Sequence, residues 1–145
     1  MRAPQHRTDI PAEPPATVRP AAWRPADVRR AVRRAVHRRC RETGSACDEE
    51  ALSDALLVAS ELTSNAILHG GGVTDVRIGM EERTVRVSVC DRSDLPPVEA
   101  PPVDSAGRRR AGGRGWPIVR HLSRDVRVAA LPAGGKCVTA RVHVF

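Results

Sequence analysis

The stretch ELTSNAILHG, residues 61–70, decides how the rest of this chain is interpreted. Glu61, Asn65 and His69 fall at i, i+4 and i+8, which puts a carboxylate, an amide and an imidazole in one row along a helix. A carboxylate can deprotonate or orient a hydroxyl group, and an amide oxygen is a suitable ligand for Mg²⁺. The same spacing also fits an ordinary solvated helix face that ends in a histidine.

The flanking residues predict that this row belongs to a helix spanning about 48–69. Acidic residues at 48–50 suit its first turn, and three glycines at 70–72 end it. Apolar residues at three- and four-residue spacing predict its buried stripe: Leu52, Ala55, Leu56, Ala59, Leu62, Ala66 and Ile67.

Upstream, a first amphipathic helix is predicted from Pro25 to about Glu42, with Val28, Val32 and Val36 on its apolar face. Its polar face carries seven arginines. They suit a solvated surface, and they could equally bind phosphates or an acidic partner. Residues 1–20 hold five of the twelve prolines and predict a flexible leader, within which residues 16–18 suit a short edge strand.

Downstream, alternating apolar residues predict two hairpins, one over 76–89 and one over 126–144. In the first hairpin Arg77, Arg86 and Ser88 alternate with the apolar residues, which predicts one wet face. A proline- and glycine-rich connection over 92–113 and a short helix over 116–122 separate the two hairpins. A connection of this length is typical of a functional lid or a disordered segment. The whole order predicts an α+β two-layer sandwich in which helices cover one face of a mostly antiparallel mixed sheet.

Two further positions are candidates for ligand binding. Asp91 ends a predicted strand, where its carboxylate could accept from the exocyclic amine of a base or simply form a turn. The turn at 112–117, which includes Gly113, Arg114 and Gly115, opens a helix and so could bring backbone N–H groups to phosphates. It lacks the third glycine and the preceding strand of a dinucleotide-binding fingerprint.

Composition narrows the function classes. The 145 residues carry a net charge of +7, which favours anionic partners, while an aromatic content of 2% argues against a base-stacking platform. No apolar run suits a membrane span or a signal peptide, so a cytoplasmic protein without a membrane partner is expected. The four cysteines form no CxxC pair and are predicted to be reduced thiols: Cys40, Cys47, Cys90 and Cys137.

Taken together, the string at 61–70, Asp91 and the turn at 112–118 resemble the N box and the two glycine boxes of the gyrase, heat-shock-chaperone, histidine-kinase and mismatch-repair ATPase superfamily. Their order and spacing resemble its small single-domain branch, the anti-sigma factor serine/threonine kinases. The resemblance covers nearly all of the folded part and implies a histidine-kinase-like (Bergerat) ATP-binding domain over 21–145.

The resemblance also implies roles for individual residues. Asn65 would ligate the Mg²⁺ that bridges the phosphates of ATP, and Glu61 would activate the attacking serine hydroxyl of a partner protein. Asp91 would accept from the adenine amino group. Gly113 and Gly115 would let the lid backbone wrap the phosphates, with His69 beside them and Arg114 in the same turn.

Two residues depart from the family pattern: Ser93 replaces a glycine beside the base, and Trp116 replaces a smaller aliphatic residue. The resemblance implies a serine-protein kinase that sequesters a sigma factor and phosphorylates an anti-anti-sigma antagonist, with a homodimer expected and no direct DNA contact. The alternative is a nucleotide-binding module that controls its partner by binding alone. A DNA-binding protein that uses the arginine face is a third hypothesis.

Overall fold

A computed structural model describes residues 10–11, 23–97 and 115–145 of the chain. The elements are β1 (Ile10–Pro11), α1 (Pro25–Thr43), α2 (Glu49–His69), β2 (Val73–Glu81), β3 (Thr84–Asp91), α3 (Gly115–Leu122), β4 (Asp125–Ala130) and β5 (Lys136–His143). From α1 onward this order is the one that periodicity predicted, so the α+β class is confirmed. The predicted strand at 16–18, and the leader apart from residues 10–11, lie outside the described residues.

The five described strands form one sheet in the order β1-β2-β3-β5-β4. All four pairings between them are antiparallel, so the parallel component of a mixed sheet does not occur among the described strands. After β3 the chain passes through α3 and forms β4 at the sheet edge. Strand β5 then pairs with both β3 and β4 and so lies between them. This topology brings the end of β3 next to the start of β5.

Local sequence explains where the two long helices begin. Pro25 starts α1, and the Asp27 carboxylate accepts from the Arg24 backbone N–H at 3.0 Å. Asp48 caps α2 by accepting from two backbone N–H groups of its first turn, both at 3.1 Å. Over the described ranges, none of the helices combines the length and the hydrophobicity needed to traverse a bilayer.

The hydrophobic core lies between the helices and one face of the sheet. Helix α1 buries its predicted valines completely, and α2 packs beside it. The sheet contributes alternate residues of its two central strands: Val85, Val87, Val89, Val138, Ala140 and Val142. One position of the predicted α2 stripe is wrong, because Ile67 is 45% exposed in a final turn whose last three residues all face solvent. Val58 and Thr63 are buried instead.

The other sheet face is less exposed than the alternation predicted. Arg86, expected on a wet face, is buried and pairs with Glu81 at 2.9 Å, while Arg141 reaches the same carboxylate at 2.8 Å. Ser88 and Thr139 share a hydrogen bond of 2.8 Å across the strands. Charged and hydroxyl side chains therefore satisfy one another on this face.

The prediction of reduced cysteines is wrong. Cys90 is bonded to Cys137 and Cys40 to Cys47. The first pair are register partners on β3 and β5, and the second pair join the end of α1 to the loop before α2 with a Cα–Cα separation of 6.2 Å. Spacing along the chain missed both bonds because cross-strand register and the turn between helices, not a CxxC motif, bring the sulfurs together.

Candidate functional site

A cavity opens between α2, the start of α3 and the adjoining ends of β3 and β5. Eight lining residues are apolar: Leu62, Ala66, Val89, Leu95, Pro96, Pro97, Trp116 and Val138. Five are polar: Asn65, His69, Asp91, Ser93 and Lys136. An apolar pocket with a few polar groups is the usual setting for binding a flat organic ring.

The two-residue period of the strands determines which side chains form the floor of this cavity. Val89 and Asp91 point to the helix side of β3, and their register partners on β5 are Val138 and Lys136. An apolar pair is thus followed by a charged pair. The disulfide between Cys90 and its register partner falls between these two pairs, on the opposite face of the sheet.

The charged pair is buried and directly bonded. The Lys136 Nζ donates to both carboxylate oxygens of Asp91, at 3.0 and 2.9 Å, and the two residues are only 6% and 4% exposed. The backbone N–H of Ser93 donates to Asp91 Oδ1 at 2.9 Å. Because both charges are out of water, each depends on the other for compensation.

Gly70 allows α2 to end directly against this carboxylate. A Cβ at this position would overlap the Asp91 side chain. The Gly70 carbonyl accepts from the Arg92 backbone N–H at 2.9 Å, which ties the helix end to the end of β3. The glycine that ends the 61–70 stretch therefore has a packing role as well as a role in terminating the helix.

Glu61 lies one turn before Asn65, at the amino terminus of α3. Its carboxylate is so close to Gly115 that a Cβ there would overlap Oε2. Partial burial raises the pKa of the Glu61 carboxyl above its ordinary value of 4.5. A carboxyl group with a raised pKa at a helix N-terminus is suited to exchanging a proton with a group held there.

The remaining predicted site residues are partly described. Asn65 and His69 line the cavity from α2, and neither side chain hydrogen-bonds to another residue of the described ranges. Ser93 lines it after β3, and Trp116 is 8% exposed and contributes to both the cavity and the core. Gly113 and Arg114 lie outside the described residues.

The family model of the histidine kinase-like ATPase domain matches residues 21–142. The chain belongs to the histidine kinase-like ATPase domain family. A curated relative, the anti-sigma F factor of Pasteuria penetrans, is 29% identical over 99 residues. That alignment covers 61% of this chain and 66% of the relative. The suspected resemblance to the anti-sigma kinase branch is thereby confirmed.

Membership of this ATPase family implies ATP binding, and the chemistry of the cavity lining suits that ligand. Its apolar walls suit a purine ring, and Asp91 supplies an acceptor for a ring substituent. The Asn65 amide has no protein hydrogen bond within the described residues, so its oxygen is available to a ligand or a cation.

Lys136 is the site residue that sequence reasoning missed. It is the sole lysine of the chain and belongs to none of the motifs that the sequence analysis identified. The signal that could have found it is register: counting back from the alternating strand 138–144 places residue 136 on the cavity side, opposite the end of β3.

Proposed function

We propose that this histidine kinase-like ATPase domain is an ATP-dependent serine-protein kinase and anti-sigma factor. In this proposal it sequesters a sigma factor and phosphorylates a small anti-anti-sigma antagonist, and it acts in the bacterial cytoplasm. The similarity to an anti-sigma F factor supports the choice of partners. The observation that carries the kinase assignment is the contact between Glu61 and the first residue of α3.

That contact joins the two components that phosphoryl transfer to a hydroxyl requires. The amino terminus of α3 presents backbone N–H groups and the positive end of a helix dipole, which suit phosphate oxygens. Glu61 is the carboxylate beside it, able to accept the proton of a serine hydroxyl. Burial favours the protonated form of this carboxyl, which makes Glu61 a stronger base when ionised.

Asn65 and Asp91 would position the nucleotide. Bound ATP supplies the phosphoryl group and Mg²⁺ neutralises its charge. Asn65, one helical turn after Glu61, offers an amide oxygen to that cation. Asp91, at the cavity floor, would accept from the base, and Trp116 would cover the ring from the α3 side.

Transfer to a protein substrate tests this assignment. The purified chain is incubated with γ-labelled ATP, Mg²⁺ and an anti-anti-sigma protein of the same organism, and label on the antagonist is measured. We expect Glu61→Gln to reduce the transfer rate at least a hundredfold while ATP affinity stays within threefold. The matched control is Glu50→Gln, the same change at an exposed position in the first turn of α2. Equal transfer rates for Glu61→Gln and the control would refute a catalytic role for Glu61.

A second candidate function is control of a partner by nucleotide binding alone. The observation that favours it is the Asp91–Lys136 bond, because the carboxylate assigned to the base already has a charged partner. This candidate predicts ATP-dependent binding of a sigma factor or antagonist with no label transferred by the wild-type chain. It also predicts that Glu61→Gln leaves the partner affinity unchanged.

A further inference from the structure

The Cys90–Cys137 disulfide joins the two strand ends that form the floor of the cavity. All four residues that flank these cysteines in the sequence line the cavity: Val89, Asp91, Lys136 and Val138. The sulfurs lie on the opposite face of the sheet, because side chains alternate along a strand. A change at this disulfide therefore reaches the cavity through the backbones of β3 and β5. The inference below rests on the proposed nucleotide site.

The disulfide lies close to the end of the ladder between β3 and β5. The pairing runs from Thr84 with His143 to Asp91 with Lys136, and the two cysteines are the last pair but one. Strand ends open more readily than strand centres, because fewer contacts hold them. A covalent bond at this position therefore restrains the final pair, whose carboxylate is the proposed acceptor for the base.

Noncovalent contacts hold the same strand ends when the bond is broken. The ion pair between Lys136 and Asp91 spans the two strands, and the Gly135 backbone N–H donates to Asp94 Oδ1 at 2.7 Å. Reduction thus leaves the cavity in place but gives its floor a freedom that nucleotide binding must remove. Ordering one side chain on binding corresponds to an affinity loss of about two- to tenfold.

Cys137 is the more accessible of the two bonded cysteines. It is half-buried, whereas Cys90 is 5% exposed. Its register partner on β4 is Ala129, an exposed residue with a small side chain. A thiolate can therefore approach the Cys137 sulfur from the side of β4.

We propose that the Cys90–Cys137 pair is a redox switch that sets the affinity of the cavity for its nucleotide. A thiolate of a dithiol reductant attacks Cys137 Sγ, and Cys90 leaves as a thiolate. The second thiol of the reductant then displaces Cys137, so the pair gains two electrons and two protons while the reductant becomes a disulfide. Exchange with a disulfide oxidant reverses both steps. Such a switch suits the proposed cytoplasmic function, because disulfides in that compartment are usually transient or redox-sensing.

Calorimetric titration of the full-length chain with ATP and Mg²⁺, before and after reduction by dithiothreitol, tests the switch. Alkylation followed by mass spectrometry establishes the state of the four cysteines in each sample. We expect reduction to raise the dissociation constant about three- to tenfold. A smaller rise, or tighter binding by the reduced chain, overturns the switch and leaves ATP binding intact. Binding in neither state overturns the proposed function as well.

Two double variants assign the effect to one disulfide. Cys40→Ser/Cys47→Ser is the matched control, because the residues that flank these cysteines do not line the cavity. Its ATP affinity should still fall on reduction, whereas Cys90→Ser/Cys137→Ser should keep one affinity in both conditions. A redox effect that persists without Cys90 and Cys137, or that is lost in the control, overturns the switch. If Cys90→Ser/Cys137→Ser does not fold, the control variant alone decides.

Thermodynamic linkage provides a second readout at the disulfide itself. If oxidation strengthens ATP binding by a given factor, ATP must favour the oxidised pair by the same factor. In a buffer of reduced and oxidised dithiothreitol, saturating ATP with Mg²⁺ should raise the ratio of oxidised to reduced Cys90–Cys137 about three- to tenfold. The Cys40–Cys47 pair is the internal control and should keep its ratio. An unchanged ratio at Cys90–Cys137 overturns the switch.

Discussion

At Gly70, the packing of α2 and the proposed contact with the base both depend on the side chain of Asp91. In Gly70→Ala, the new Cβ would come within 2.7 Å or less of the Cβ, Cγ and Oδ2 atoms of Asp91. The carboxylate cannot swing away freely, because Lys136 and the Ser93 N–H hold both of its oxygens. Either these charged bonds lengthen or the end of α2 moves.

The expected cost is that of overpacking a buried site, about 1–3 kcal/mol. For a domain of this size that lowers the melting temperature by roughly 4–12 °C. We also expect ATP affinity to fall at least tenfold, because the shifted carboxylate is the proposed acceptor for the base. Thermal unfolding followed by circular dichroism gives the first quantity, and calorimetry gives the second.

Gly44→Ala is the control for this experiment. Gly44 has a φ of +71°, and no atom lies within 4 Å of a Cβ built on it, so alanine there incurs only a backbone cost of about 1 kcal/mol. ATP affinity should be unchanged in the control. A Gly70→Ala protein with wild-type stability and affinity would refute the close packing of α2 against Asp91.

The remaining predictions concern the disulfides and Glu61. Replacing Cys90 and Cys137 by serine should cost about 4 kcal/mol, against about 2 for Cys40 and Cys47, because the loops closed span 47 and 7 residues. Urea unfolding of the two double variants checks the order, and a larger loss at the short loop would contradict it. Glu61→Gln should raise the melting temperature at pH 7, because a raised pKa penalises the ionised folded state above the ordinary value of 4.5. This gain should vanish below pH 4.5, and a pH-independent difference would contradict it.

Periodicity sufficed for the order of α1 to β5 because each element has an apolar face of the expected period. In a two-layer fold each helix or strand is buried on one side, so its apolar residues recur with the helical or the strand period. Ile67 shows the limit of this reasoning. Ile67 continues the apolar pattern of α2, but the last turn of the helix is exposed. Sequence spacing cannot indicate where a helix extends past the residues that bury it.

The sequence likewise predicts some residues of the candidate site and misses others. Glu61, Asn65 and His69 were predicted as one row because helical spacing alone relates them. Lys136 and the Cys90–Cys137 pair were missed because β5 returns to the centre of the sheet, and a one-residue change in register would move them to the other face. Such long-range pairing has no short-range sequence signal. The Cys40–Cys47 pair was missed because the turn between α1 and α2 brings its sulfurs together.

Asn65 organises a magnesium-dependent nucleotide site in the proposed function, and titration calorimetry with ATP tests this role most directly. The wild-type chain, Asn65→Ala and the control Ser64→Ala are each titrated with and without Mg²⁺; Ser64 is the neighbouring α2 residue and does not line the cavity. We predict that Mg²⁺ strengthens ATP binding at least tenfold in the wild type and the control, and that Asn65→Ala removes this gain. Full magnesium-dependent affinity in Asn65→Ala would contradict the account.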